Sequence, residues 1–496
     1  MRIALLTEAT YPYARSGVGA WCQRLCTGLS HHEYEVVSVT GTAPGGAGPA
    51  YRTPGNVAAL RSMTVTASTT PPGGRLSRAR HRRAGAAAAT LLSRGLVGDG
   101  PRGTAMFRDG LRRLADLAPA GHPLHGVPVA EILTDAWRAA GAASTEDTGD
   151  FTFPLPPLSP RDAQRIAVLL DHAVRPLAAP PPEVDLCHAV GAGLPLLVAL
   201  AAKWRAGTPF LLTEHGIYLR ERYLTAGDPD SPAVRAAVLR FYRTLSRLGY
   251  AEAAAIATAS RFNRRWELRH GAHPAKIAIV PNGLDPAAYP PLPEAGGPPT
   301  VGWVGRIGPD RDLHTLIEAF ARVRGRVPGA RLRLYDPVEE GPGGYAEGCH
   351  DLIARRGLGA AVTVTGPVRT SVEAYADSHV AVLGTVAEGA PYPVIEAMMC
   401  GRATVGADVG AVAETVGEAG LVVPPGDPDA LAAACTGLLL DPRLRHRLAT
   451  AARRRAVEHF AMDRMLDAYD DLYRGIRSPG RAQEPTLALP FAPGAA

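Results

Sequence analysis

The chain has 496 residues, of which 46% are hydrophobic and 20% are charged, and its formal net charge is +6. This length exceeds what one hydrophobic core usually serves, so the sequence predicts two domains. Arginine carries nearly all of the positive charge, since Lys203 and Lys276 are the only lysines, and because no nucleic-acid-binding module accompanies it, a nucleic-acid partner is not expected.

The six cysteines show no CxxC spacing of the kind that binds metals. Cysteines scattered in this way favour a reducing compartment. The apolar start at residues 1–6 is too short for a signal peptide. The most apolar run, residues 193–202, is shorter than the roughly 18 to 20 residues that a membrane span needs. We therefore expect a cytoplasmic protein.

Strands and helices alternate in the first part of the chain, which predicts a parallel α/β domain over residues 1–285. Residues 42–160 interrupt this pattern and predict an irregular insertion, in which the arginine-rich run 75–83 forms a solvated or disordered face. The predicted strands are 3–8, 35–40, 185–190 and 209–215; the predicted helices are 18–29, 104–117, 129–143 and 160–177; the predicted loops are 43–54 and 69–74.

A second α/β domain is predicted over residues 300–458. The proline- and glycine-rich segment 286–299 predicts the linker before it. After it, residues 459–476 predict a helix with one apolar stripe, and residues 477–496 predict a disordered tail. The predicted strands of this domain are 301–304, 331–335, 361–365, 380–383, 403–406 and 421–423.

Two glutamates, Glu388 and Glu396, stand eight positions apart in this second domain. Pro393 suits the first turn of a helix, because its fixed φ and missing N–H cost nothing there. Glu388 then lies in the entering loop and Glu396 about one turn into the helix. A helix start carries unpaired N–H groups and partial positive charge that suit a diphosphate, while carboxylates beside it can accept hydrogen bonds from hydroxyls. The pattern favours a nucleotide sugar as ligand.

Two stretches resemble retaining glycosyltransferases of the GT4 family. One is Glu388-Gly-Ala-Pro-Tyr-Pro-Val-Ile-Glu396, with the strand, Gly410 and Glu414 that follow it. The other contains Thr213-Glu-His-Gly-Ile-Tyr218 and resembles the PelF branch, which comprises exopolysaccharide glycosyltransferases. The resemblance implies an α/β fold of the GT-B type, with two Rossmann-like domains facing across a cleft. It also implies that the helix at 459–476 crosses back to the first, acceptor-side domain.

The resemblance further implies roles for particular residues. Arg306 and Arg311 would bind the diphosphate, because fixed positive charge stabilises the departing group and arginine can hold phosphate oxygens with two hydrogen bonds. Glu388 would hold hydroxyls of the donor sugar, Glu396 those of the ribose, and His215 would contact the transferred sugar. The other predicted donor contacts are Gly17, Val18, Gly305, Gly389, Ala390, Pro391 and Tyr392.

These residues predict an enzyme, a hexosyltransferase that acts with retention and needs no metal or other cofactor. Its predicted donor is UDP-glucose, and its predicted acceptor is a glycan or another molecule. The resemblance also implies association with a membrane polysaccharide-synthesis complex. Two alternatives stay open: a non-catalytic nucleotide-sugar-binding subunit of such a complex, and a nucleotide-sugar epimerase.

Three short motifs suggest other chemistry but have simpler explanations. Asp228-Pro-Asp230 and Asp427-Pro-Asp429 resemble a metal-binding Asp-x-Asp, yet each directly precedes a helical run and predicts a helix cap. The segment Gly17-Val-Gly19 supplies only two glycines of the dinucleotide fingerprint. An NAD enzyme is therefore not favoured.

Overall fold

A computed structural model describes residues 1–41, 48–66, 75–143, 155–225, 231–336, 343–366, 370–386 and 388–477. These residues form two compact units. The first unit contains Met1–Thr258, Arg264–Ala278 and residues 470–477, and the second contains Ala259–Asn263 and Ile279–Tyr469, each without the undescribed residues.

A seven-stranded sheet forms the centre of the first unit. Its strands are β1 Arg2–Glu8, β2 Glu33–Thr40, β3 Val57–Thr64, β4 Leu186–Val190, β5 Phe210–Glu214, β6 Ala255–Thr258 and β7 Ile277–Ile279. Their order across the sheet is β3-β2-β1-β4-β5-β6-β7. Every residue of β4 and β5 is buried, as expected for parallel strands that are covered on both faces.

The helices of this part of the chain cover the sheet and include all those predicted from spacing. They are α1 Gly17–Gly28, α2 Arg75–Val97, α3 Gly100–Leu117, α4 Val129–Ala143, α5 Pro160–Ala173, α6 Pro195–Ala206, α7 Tyr218–Thr225, α8 Pro232–Glu252 and α9 Arg261–Arg269.

The prediction of an irregular insertion over residues 42–160 is wrong for its described part. Strand β3 pairs in parallel with β2, and α2 packs closely against α3. A Cβ at Gly95 would lie 2.3 Å from the Phe107 nitrogen, and one at Gly110 would lie 2.6 Å from the Leu92 nitrogen. The small residues that suggest loops therefore allow two helices to approach each other.

The arginine run begins α2, where residues 76–80 are exposed. Most of the residues predicted as loops lie outside the described part of the chain.

A six-stranded sheet forms the centre of the second unit, and all six strands were predicted. They are β8 Thr300–Val304, β9 Arg331–Tyr335, β10 Val362–Thr365, β11 Val380–Leu383, β12 Ala403–Ala407 and β13 Leu421–Val423. Their order is β10-β9-β8-β11-β12-β13, and all pairs are parallel.

The remaining helices are α10 Leu313–Arg326, α11 Gly343–Arg355, α12 Ser371–Ala376, α13 Tyr392–Met399, α14 Val412–Val416, α15 Pro428–Leu440, α16 Pro442–His459 and α17 Met462–Arg477. Asp427 caps α15 by accepting hydrogen bonds from the N–H groups of Asp429 and Ala430, which confirms the predicted cap. The matching motif at 228–230 lies outside the described residues. Among the described helices, none is both long enough and apolar enough to cross a bilayer.

The segment predicted as a linker, residues 286–299, is packed onto the second unit. Arg402 donates a hydrogen bond of 2.7 Å to the carbonyl of Pro293, and Arg445 donates one of 2.7 Å to Glu294. Both arginines are buried. A proline-rich segment leaves many carbonyl groups without backbone partners, and the buried Arg402 supplies a donor to one of them, while Arg445 binds the carboxylate of Glu294.

The predicted apolar stripe of α17 is present, since its seven residues are all buried or half-buried: Met462, Met465, Leu466, Tyr469, Leu472, Tyr473 and Ile476. The first half of the helix groups with the second unit and the second half with the first unit. In the second unit a Cβ at Gly283 would lie 2.7 Å from Met462 Cα. In the first unit, the Tyr473 hydroxyl lies 2.7 Å from Nδ1 of His188.

Candidate functional site

The second sheet reverses its strand order between β8 and β11. From β8 the chain proceeds through β9 and β10 on one side, and from β11 through β12 and β13 on the other. Ligands of open parallel sheets bind outside the carboxyl ends of the strands at such a point. The loops that leave these strands, residues 305–312 and the described residues of 384–391, contain most of the donor-binding residues predicted for this unit.

An ion pair joins the two loops. Nη1 of Arg311 lies 2.9 Å from Oε2 of Glu388, and the two side chains are 27% and 15% exposed. The residues are 77 positions apart in sequence. The fold thus brings together two side chains for which the sequence predicted separate contacts with the donor.

Backbone contacts hold this pair in place. The carbonyl of Asp310 accepts hydrogen bonds from the Thr385 hydroxyl at 2.8 Å and from the Val386 N–H at 3.1 Å. Asp312 then reverses the chain in the left-handed conformation, with φ 48°, and its side chain accepts a hydrogen bond from Thr315 at the start of α10. Arg311 is therefore fixed by its own loop and by the loop that follows β11.

Asp310, which the sequence did not single out, also links the two predicted arginines. Its Oδ1 lies 3.1 Å from Nη2 of Arg306, and its Oδ2 lies 3.2 Å from Nε of Arg311. One carboxylate between two guanidinium groups reduces their repulsion and keeps them close to each other.

Asp336 holds the loop that follows β8 through a hydrogen bond to its backbone. This buried carboxylate accepts a hydrogen bond of 3.0 Å from the N–H of Ile307, and the N–H of Gly305 donates one of 3.0 Å to the Tyr335 carbonyl. Tyr335 and Asp336 thus anchor the loop that carries Arg306.

Gly410 determines the backbone position of Glu388. It has φ +58°, and a Cβ there would lie 1.5 Å from the carbonyl oxygen of Glu388. Any other residue would be strained in this conformation and would also displace the Glu388 loop.

Pro393 lies in the first turn of α13, as predicted, and the structure adds Pro391 as the N-cap residue. Glu396 follows on this helix, and its Oε1 accepts a hydrogen bond of 3.2 Å from the Tyr289 hydroxyl. The expectation of unpaired N–H groups is wrong at two positions, since Tyr392 donates to the Ala390 carbonyl and Val394 to that of Pro391. The helix begins with a tight turn that uses these donors locally, so the helix dipole is what remains to attract an anion.

Of the residues predicted in the first unit, Gly17 and Val18 begin α1. Gly17 is exposed. The glycine that packing requires is Gly19, where a Cβ would lie 2.8 Å from the Tyr51 hydroxyl and 2.9 Å from the Ala14 carbonyl. The roles of Gly17 and Val18 stay predictions.

His215 follows the last residue of β5 and is half-buried, with its ring centroid 4.4 Å from that of Trp21. Its neighbours in the Thr213-Glu214-His215 string belong to the core. The Thr213 hydroxyl lies 2.7 Å from Nε2 of His188, and burial, with the nearby His215, lowers the pKa of His188 to about 3. Glu214 accepts a hydrogen bond from the Tyr250 hydroxyl. Only His215 of the three has a side chain that is not fully buried.

A polar cluster at the carboxyl end of β1 was not predicted. Oε1 of Glu8 accepts a hydrogen bond of 2.9 Å from the Tyr218 hydroxyl, and the Arg222 guanidinium lies 4.9 Å from the ring centroids of both Tyr218 and Tyr242. Burial raises the pKa of Glu8. The cluster lies where the first sheet reverses its order, between β1 and β4. The sequence signal was a lone carboxylate at the end of an apolar strand.

Residues 1–275, more than half of the chain, match the family described as a domain of unknown function, DUF3492. The chain belongs to this family. Residues 298–441 match the family of glycosyl transferases group 1, so the second unit carries a glycosyltransferase domain, as the sequence predicted.

A curated relative is D-inositol 3-phosphate glycosyltransferase from Kineococcus radiotolerans, 31% identical over 279 residues, which are 51% of this chain and 62% of the relative. The chain spans less than two thirds of the length of the first such relatives.

Two solved structures share the fold over nearly the whole chain. Sucrose-phosphate synthase from Thermosynechococcus elongatus has a TM-score of 0.60 at 18% identity and covers 97% of this chain and 100% of its own. HepE from Anabaena, in complex with UDP, has a TM-score of 0.60 at 15% identity and covers 96% of this chain and 100% of its own. The predicted α/β fold of the GT-B class, with two Rossmann-like domains, is confirmed.

Proposed function

We propose that the protein is a retaining, metal-independent glycosyltransferase that transfers a hexose, with glucose from UDP-glucose as the first candidate. The acceptor would be a glycan or another molecule in exopolysaccharide or cell-surface glycan synthesis, as in the PelF branch that the sequence resembles. The observation that carries this proposal is the group of charges Arg306, Asp310, Arg311 and Glu388 at the reversal point of the second sheet.

The arginines of this group are suited to exchange their partners. The side chains of Arg306 and Asp310 are partly exposed, and an ion pair between exposed side chains contributes only about 0 to 1 kcal/mol. A diphosphate that takes the place of Glu388 would keep the Arg311 guanidinium paired with an anion. Arginine can hold phosphate oxygens with two parallel hydrogen bonds. As the bond to the sugar breaks, negative charge grows on the diphosphate, and preorganised positive groups lower the barrier most where that charge develops.

We assign the carboxylates of Glu388 and Glu396 as hydrogen-bond acceptors for hydroxyl groups of the donor. Glu388, released from Arg311, can accept hydrogen bonds from the donor sugar. Glu396 lies on α13 within hydrogen-bonding distance of Tyr289, and we assign it to the ribose. For the acceptor we propose the polar cluster of Glu8, Tyr218 and Arg222 on the first unit, because it offers both acceptors and donors for hydroxyl groups.

Known proteins of the same fold support the choice of donor. HepE has been solved with UDP, with UDP and glucose, and with UDP-glucose. That property belongs to HepE, and at 15% identity it gives this chain a first donor to test.

The deciding experiment incubates the full-length protein with a panel of labelled UDP-, GDP- and ADP-sugars and measures nucleotide release and sugar transfer, with and without EDTA. We expect release from UDP-glucose that EDTA does not abolish, and a product with the anomeric configuration of the donor by NMR. A protein that binds UDP but releases no nucleotide from any of the sugar donors would favour the non-catalytic subunit. Conversion of one nucleotide sugar into another without nucleotide release would favour the epimerase. Strict dependence on Mg²⁺ or Mn²⁺ would refute metal independence.

A further inference from the structure

Three side chains with metal-binding atoms converge in the first unit, and none of them was assigned a role in donor or acceptor binding above. The Nε2 atoms of His31 and His32 lie 3.2 and 2.9 Å from the same atom, Oδ1 of Asp470. Within the described ranges, this is the one group of three or more His, Cys, Asp or Glu side chains whose ligand atoms approach closely enough to hold a metal ion.

The spacing suits a tetrahedral zinc ion. Zinc binds histidine nitrogen and carboxylate oxygen at about 2.0 to 2.2 Å, so two ligand atoms of one tetrahedral site lie about 3.3 to 3.5 Å apart. The two nitrogen-to-oxygen distances are within about half an ångström of that value, and all three ligand atoms lie within 4.8 Å of one another. His31 is 51% exposed, so its ring can adjust and a water molecule can complete the coordination.

The other two ligands are held in position. His32 is 4% exposed and Asp470 is 13% exposed. Asp470 Oδ2 pairs with Arg474, and such outer contacts orient a ligating carboxylate. The amide of Asn56 donates hydrogen bonds of 2.9 Å to the carbonyls of Cys26 and His32, which fixes the connection between α1 and β2.

We propose that His31, His32 and Asp470 form a structural site for a divalent transition metal, zinc in the first place. The ion would join the second half of α17 to the connection between α1 and β2. Two imidazoles and a carboxylate match the ligand preference of zinc. The site is independent of the transfer reaction proposed above, which uses no metal, so either proposal can fail without the other.

The test uses untagged full-length protein that has been treated with EDTA and dialysed. Zn²⁺ is titrated by calorimetry, Co²⁺ by its visible absorption, and the melting temperature is recorded with and without Zn²⁺. We expect one ion per chain, intense tetrahedral Co²⁺ bands and a higher melting temperature with Zn²⁺, because a ligand that binds only the folded state stabilises it.

Variants assign the binding to these residues. His31→Ala removes an exposed ring and should lower Zn²⁺ affinity at least tenfold, and Asp470→Asn keeps the shape of the side chain while removing its charge and should lower affinity further. His446→Ala, at an exposed histidine on α16, should bind like the unaltered protein. Absence of saturable binding in the unaltered protein, or unchanged binding in a folded His31→Ala variant, would overturn the proposal.

Discussion

The two units differ in how deeply the polar side chains near their sheets are buried. In the second unit, charged side chains such as Arg311 and Glu388 are half-buried and paired with each other. In the first unit, His188 and Glu214 are fully buried and bonded to Tyr473, Thr213 and Tyr250. A partly exposed charge that changes its partner stays bonded, to the new partner or to water, whereas a buried polar group that loses its partner destabilises the fold strongly. The second unit is therefore suited to bind an anion, and the buried groups of the first unit stabilise the fold.

The largest expected effect tests the binding half of this comparison. Arg311→Ala should lower kcat/KM by about 10² to 10³-fold and weaken UDP binding, because it removes a preorganised charge. Steady-state kinetics and calorimetry with UDP measure both. The matched control is Arg322→Ala, at an exposed arginine of the same unit that pairs with Glu318 and Asp429. Unchanged UDP affinity and turnover in Arg311→Ala would remove the arginine from the site.

The next prediction separates two consequences of replacing Gly410, namely backbone strain at that residue and displacement of the loop that carries Glu388. Gly410→Ala should lower the free energy of unfolding by about 2 to 4 kcal/mol and weaken UDP binding, because its Cβ would overlap the carbonyl of Glu388. Gly426 also has a positive φ, of +67°, but no atom lies within 4 Å of a Cβ placed there. Gly426→Ala should therefore lower the free energy of unfolding by only about 1 kcal/mol. Urea unfolding of both variants measures the difference, and equal values would mean that Gly410 does not position Glu388.

A smaller effect distinguishes the two glutamates. Glu396→Gln should raise KM for the donor about tenfold, because its assigned ribose contact is made in both ground and transition states, whereas Glu388→Gln should mainly lower kcat. Initial rates over a range of UDP-glucose concentrations measure the two constants. Small and equal effects would mean that both carboxylates are solvated side chains without a role in binding.

The last prediction tests the buried half of the comparison through the pH dependence of stability. Burial raises the pKa of both Glu214 and Glu267. Each carboxyl thus keeps its proton in the folded protein at a pH where the unfolded chain has lost it. The free energy of unfolding should therefore fall as pH rises from about 5 through neutrality, by up to about 1.4 kcal/mol per pH unit for each proton.

Glu267→Gln removes one of these protons and should flatten the profile in urea unfolding between pH 5 and 9. The matched control is Glu131→Gln, which makes the same change of side chain at an exposed position on α4. A Glu267→Gln profile as steep as that of the unaltered protein would mean that this carboxyl does not titrate between these limits.

The sequence by itself determined the features that depend on neighbouring residues. All six strands of the second unit, the start of α13 near Pro393 and the cap at Asp427 were predicted, because short apolar runs, prolines and capping side chains act within a few residues. A family resemblance over two motifs supplied the fold class. The same local patterns gave a wrong prediction at α2 and β3. The glycines and alanines there suggested irregular structure, but they lie in closely packed helices and in an edge strand.

Only the tertiary structure decided which distant residues meet. Glu388 pairs with Arg311 across 77 positions and Glu396 with Tyr289 across 107, and Asp470 meets His32 across 438. Gly410, likewise, owes its role to the carbonyl of Glu388. Such contacts depend on the order in which strands assemble and on the loops that leave them, and no periodicity in the sequence encodes either. The partners of a charged side chain are therefore set by the completed fold.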